Sequence, residues 1–180
     1  MNLKKVMVLE ISIKILISII LILVLSSFSF FVGKRDYYVT LFFPKNNNIN
    51  KLLAEKRELI WKKSKKERMA NVVEEILIGS MNKKSLNSNN QNSKLLNILI
   101  EDNRVILNLN GESLNFIKYS NVNNYQNQLY MFIYSITNSI CFNFNSIKYV
   151  KFYFDGRLYE YLDTNFQGEY GFSPNWKLLY

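Results

Sequence analysis

The sequence predicts an α+β domain, a mixed or antiparallel sheet with two main helices, preceded by one N-terminal transmembrane helix. Three observations carry this expectation. An apolar run of helical length opens the chain, from Ile15 to Val32. Beyond it, β-branched and aromatic runs closed by turn residues alternate with stretches of helical periodicity. Their order is strand, strand, helix, hairpin, helix, hairpin, which places the helices over one face of a sheet.

The opening run has eighteen residues, broken only by Ser18, Ser26, Ser27 and Ser29. At the rise of an α-helix it is a little under about 30 Å long, close to the hydrocarbon thickness of a bilayer. Lys4, Lys5 and Lys14 precede it, which favours a cytoplasmic N-terminus, while Lys34 and Arg35 follow it. A cleaved signal peptide has the same layout, and Ser27-Phe28-Ser29 is a tolerable cleavage site. The length and the bulky Phe28, Phe30, Phe31 and Val32 favour an uncleaved anchor. The expected organisation is a signal anchor over 1–35 and one domain over 36–180. The location expected is the cytoplasmic membrane, crossed once, with the domain outside the cytoplasm; cleavage and secretion is the lesser reading.

Tyr37–Phe43 is β-branched and aromatic and stops at Pro44, as a strand does. Lys45–Asn50 reads as a polar turn; Leu52–Trp61 fits a second strand or a charged helix, and a strand followed by a bend is the favoured reading. Ser64–Gly79 is the clearest helix. Ser64 and Glu67 have capping-box spacing, Met69, Val72, Val73, Ile76 and Leu77 fall on one face, and Gly79 suits the left-handed end. Ser80–Lys94 is an Asn- and Ser-rich loop, expected to be mobile. Leu95–Ile100 and Val105–Leu109 form a hairpin about Glu101–Arg104. Asn110-Gly111 ends it, and Glu112–Tyr119 is a short helix or turn. Tyr125–Phe142 is the second main helix, with Leu129, Phe132, Ile133, Ile136 and Ile140 at helical spacing. Ile147–Phe154 is a strand with Val150, Phe152 and Phe154 on one face. Asp155-Gly156 is a type I′ turn, which needs positive φ at both positions, and Arg157–Leu162 pairs back. Asp163–Tyr180 is an aromatic, Gly- and Asn-containing tail.

Composition excludes several function classes. The 180-residue chain is 48% hydrophobic and contains no histidine, the commonest general base and metal ligand. Its single cysteine, Cys141, can form no intrachain disulfide and reads as a small buried hydrophobe. The abundance of Asn, Lys, Ile, Phe and Tyr reads as the codon bias of an AT-rich genome. The net charge of +9 is concentrated. Residues 51–68 hold eight basic side chains against Glu55, Glu58 and Glu67, whereas 69–180 are balanced. One basic segment is not the pattern of a nucleic-acid coat, so no nucleic-acid partner is expected.

Four segments together resemble the GerMN domain of sporulation and spore-germination GerM-type proteins. They are YYVTLFFP (37–44), ERMANVVEEILIG (67–79), LLNILIEDNRVILNLNGESL (95–114) and SITNSICFNFNSIKYVKFYFDGR (135–157). The last is the most specific: Ile147, Val150, Phe152, Asp155 and Gly156 match the family's strand and D-G turn. The resemblance implies a fold related to the ring-building motif and a non-catalytic, extracytoplasmic module that assembles envelope complexes through domain contacts. It carries over no catalytic residues, and no metal or cofactor is expected. Many members carry a lipid on a cysteine; here the hydrophobic helix would take that role.

The carboxylate pairs Glu101-Asp102 and Glu74-Glu75 read as solvated, and no phosphate loop, nucleophile triad or metal cluster is present. Asp155 and Gly156 read as a structural turn. The candidate interaction residues are Lys62, Lys63, Lys65 and Lys66 in the basic segment, and Arg157 beside the outward-facing aromatics. The partners expected are the membrane, through the single helix, and other envelope proteins or further copies of the chain. The alternative is a binding module for an anionic lipid or cell-wall ligand, acting through residues 51–68.

Overall fold

The strands form two separate sheets, not one, in the computed structural model, which describes residues 13–24, 36–46, 48–85, 92–115, 125–158 and 171–179. The chain divides into two units, Met1–Arg35 and Asp36–Tyr180. In the first, helix α1 covers residues 13–24, every one of them exposed. Among the described residues no helix is long and apolar enough to cross a membrane. Of the expected spanning helix, α1 holds the first part of the apolar run, and residues 25–32 lie outside the described residues.

The second unit begins with an antiparallel pair, β1 (Asp36–Lys45) and β2 (Asn48–Ile60). The polar turn expected over Lys45–Asn50 is much shorter, because β1 continues through Pro44 and β2 starts at Asn48. Pro44 sits at a register shift, where its missing N–H leaves no gap in the ladder. The four-stranded sheet has the order β3 (Leu95–Glu101), β4 (Arg104–Leu109), β5 (Tyr149–Phe154) and β6 (Arg157–Leu158). β4 and β5 are parallel, so a crossover must join them, and helix α4 (Tyr125–Asn143) lies within it.

Helix α2 (Lys65–Ile78) starts as its sequence dictates. Glu67 N–H donates to Ser64 Oγ at 3.1 Å, and Ser64 N–H donates back to Glu67 Oε2 at 3.4 Å. Gly79 ends it with φ 102° and ψ 175°, a positive φ as expected but with an extended ψ. All five residues of its apolar face are buried. The short helix α3 is confined to Glu112–Asn115, and the remainder of that predicted element lies outside the described residues.

α4 departs most from the expected one-sided packing. It packs on β1, β2, α2 and β5, and every residue from Met131 to Cys141 is buried. A helix enclosed on all sides must satisfy its polar side chains internally. Ser135 Oγ donates to Met131 O and Ser139 Oγ to Ser135 O, and Ser139 Oγ also accepts the Phe42 N–H at 2.9 Å. Asn143 closes the outer edge of β1: its Oδ1 accepts from Thr40 N–H at 3.0 Å and its Nδ2 donates to Thr40 O at 2.7 Å. Asn138 repeats the device on the C-terminal segment, accepting from Asn175 N–H at 2.9 Å and donating to Asn175 O at 3.0 Å.

That C-terminal segment belongs to the core. Phe172 is buried against Phe152 and Tyr134 and pairs with Val150, and Leu179 bridges to Leu52. Among the described residues, every buried member of the hydrophobic core lies at position 39 or later. Each large side chain buried there stabilises the second unit by about 1.5–3 kcal/mol.

Candidate interaction surface

The basic segment resolves into two environments. Arg57 is not on the surface: it is only 6% exposed, behind the ring of Phe43. Its guanidinium pairs with Glu55 at 2.7 Å and with Glu75 at 2.6 Å, and donates to the carbonyls of Glu75 and Gly79. It thereby caps the C-terminus of α2, where free carbonyls and the helix dipole favour a cation. Glu55 also accepts from Ser80 Oγ and Met81 N–H. Burial pushes the Glu55 carboxyl up, but the bonds from Ser80 and Arg57 outweigh it and hold the group below its ordinary value. Spacing gave one available signal: Glu55 and Arg57 are two apart on a strand and so share a face.

The rest of the segment forms a fixed, solvent-facing end. The bend 61–64 is held by Arg68, which donates to the Lys62 carbonyl at 2.8 Å and the Lys63 carbonyl at 3.0 Å. The same guanidinium lies 4.4 Å from the ring centre of Trp61, whose edge meets Tyr37 at 5.5 Å. Trp61 remains 45% exposed and its neighbour Ile60 49%. Lys62, Lys63 and Lys66 are exposed. Lys65 is half-buried instead, and its Nζ donates to Ser146 Oγ beyond the end of α4. The four lysines grouped by sequence are thus three free side chains and one tie between elements.

Arg157 stands on another sheet, exposed on the two-residue β6. Of the aromatic residues near it in sequence, Tyr159, Tyr161 and Tyr170 lie outside the described residues. Asp155 and Gly156 have φ of 49° and 76°, as a type I′ turn demands. The turn also does more than reverse the chain. Asp155 Oδ2 accepts from Gly111 N–H at 3.0 Å, and Gly156 N–H donates to Asn108 Oδ1 at 2.9 Å, tying the turn to the end of β4.

An open cleft of about 430 Å³ is lined by Cys141, Asn145, Lys148, Tyr149, Pro174 and Trp176 among others. It holds no carboxylate, and burial pushes the Cys141 thiol up to about 12, away from the thiolate a nucleophile needs. Among the described residues no group of three or more Cys, Asp or Glu is placed to hold a metal ion.

The Germane family model, described as sporulation and spore germination, matches residues 40–160. The chain belongs to the Germane family. Its fold is similar to the tandem GerMN domains of the sporulation protein GerM from Bacillus subtilis, at TM-score 0.52 and 16% identity. That match covers 78% of this chain and 45% of the tandem structure, so this Germane chain spans less than half its length. The first GerMN domain of the same protein matches at TM-score 0.48 and 16% identity, covering 79% of this chain and 96% of that one. A putative lipoprotein from Clostridium perfringens matches at TM-score 0.40 and 22% identity, covering 73% and 83%. No curated protein matches. The Germane assignment accounts for the α+β fold and the four segments on which the resemblance was founded.

Proposed function

We propose that this Germane protein is a non-catalytic assembly module, tethered by its N-terminal apolar segment to the outer side of the cytoplasmic membrane. The observation that carries the tether is α1. Ile15, Leu16, Ile17, Ile19, Ile20 and Leu21 are each at least half exposed, and apolar side chains surround the helix. A helix that is hydrophobic all round and covered by none of the described residues is unfavourable in water, and a bilayer is the solvent that suits it. The assembly role draws on family membership and on a domain whose polar groups serve architecture. The Cys141 thiol is buried and weakened, and among the described residues the shifted carboxylate, Glu55, is consumed by the Arg57 network.

Fractionation and cross-linking test the two parts separately. The full chain should stay with membranes through alkaline carbonate extraction, with the domain accessible to external protease in spheroplasts. In detergent it should cross-link to other envelope proteins or to itself. Release by carbonate would overturn the tether, and a chain that remains monomeric and uncross-linked in intact envelopes would overturn the assembly role.

A further inference from the structure

We infer that the Trp61–Arg68 end of the domain docks on the surface of an anionic phospholipid bilayer. Three independent observations converge there. The first is charge: residues 61–68 hold Lys62, Lys63, Lys65, Lys66 and Arg68 against the single carboxylate Glu67, which is engaged in the capping box. Lys62, Lys63 and Lys66 project into solvent, each able to contribute to attraction toward an anionic leaflet.

The second is the apolar element set among those charges. Trp61 and Ile60 are half exposed, and the Trp61 ring is fixed between Tyr37 and Arg68. An indole with an exposed edge beside cations is the side-chain chemistry that partitions into the headgroup layer. A flexible basic loop would lose entropy on docking. Here the two carbonyl bonds from Arg68 already hold the bend in one conformation.

The third is chain connectivity. Asp36, the first residue of β1, is the ladder partner of Ile60. The strand that follows the N-terminal segment therefore starts beside the Ile60–Lys63 bend. In this respect the inference rests on the tether: a domain tethered through residue 35 has this end nearest its point of attachment. The acidic groups facing the bend do not reverse its sign. Glu58 accepts from the Tyr38 hydroxyl at 3.3 Å and Asp36 is the only other carboxylate on that strand end.

The test uses residues 36–180, which contain every core residue among the described ones and lack the tether. A Trp176→Phe background leaves Trp61 as the only indole. With phosphatidylcholine vesicles containing phosphatidylglycerol, Trp61 emission should shift to the blue and be quenched by brominated lipid. Pure phosphatidylcholine should give neither effect. Lys62→Gln, Lys63→Gln and Lys66→Gln should each weaken partitioning about fivefold, and added salt should do the same. These side chains bear no fold-stabilising bonds, so the urea midpoint should not move. Trp61→Ala should weaken binding and leave its salt dependence intact. Equal partitioning into neutral vesicles, indifference to the three lysines, or binding to a soluble anionic wall polymer but not to vesicles would each overturn docking. Since the fragment lacks the tether, these results are independent of the carbonate extraction of the full chain.

Discussion

Arg57 shows how one side chain can change the meaning of a charged segment. It is buried with two carboxylates around it, and removing it leaves Glu55 and Glu75 uncompensated and the last carbonyls of α2 uncapped. Arg57→Met should lower stability by about 3–5 kcal/mol in urea unfolding. Arg57→Lys should recover little of this, because an ammonium cannot bridge the same four acceptors in one plane. Glu55 supplies the pH dependence. Its folded carboxyl lies below the ordinary value of 4.5, so its contribution is complete above that pH and is lost as the pH falls through the lower folded value. Glu55→Gln should flatten that acidic limb of the stability profile, measured by urea midpoints from neutral pH downward. An unchanged limb would assign the acid sensitivity to other carboxylates.

Among the elements, α4 works as a strand substitute. Asn143 presents to β1 the donor and acceptor that a neighbouring strand would, and Asn138 does so for the C-terminal segment. Asn143→Asp keeps the acceptor and replaces the donor to the Thr40 carbonyl by a charge. It should cost about 1–3 kcal/mol, and the Thr40 amide should lose hydrogen-exchange protection before the β3–β4 hairpin does. Gly171 anchors the other clamp. It has φ 100°, and a Cβ there would stand 2.7 Å from the Val150 carbonyl oxygen, so Gly171→Ala should undock Phe172 and cost on the order of 2–3 kcal/mol in unfolding free energy. Local grammar made much of the fold legible: the Ser64/Glu67 box, the apolar face of α2, the Asp102-centred and Asp155-Gly156 hairpins and the alternation of β5 are all encoded within a few residues. The two-sheet arrangement was not, because β1 is closed by a residue 103 positions away. Asn138 and Asn143 looked like genomic bias for the same reason: their roles exist only in tertiary contact. The candidate surface was half legible. Charge density marked the segment, but only packing separates the buried Arg57 and the tied Lys65 from the free Lys62, Lys63 and Lys66.

For the whole molecule, the core described within residues 36–180 predicts that this unit folds by itself. Residues 36–180 should unfold at the same urea midpoint as the detergent-solubilised full chain, and a lower midpoint would show that residues 1–35 contribute stability. Cys141 offers an internal reporter, because its thiol is buried and pushed up to about 12. At pH 8 a disulfide reagent should label it orders of magnitude more slowly than a free thiol, at a rate that rises with urea as the domain opens. Closing β1 by a helix also orders events in time. The β1–β2 hairpin is made first, yet its free edge waits for Asn143 and its far end for Leu179, which bridges Leu52. At ordinary rates of synthesis the interval from Ile60 to Asn143 lasts roughly ten seconds, during which an apolar hairpin with an open edge is exposed to other nascent chains. A domain built this way keeps its first hairpin open until the partners supplied by Asn143 and Leu179 have been made.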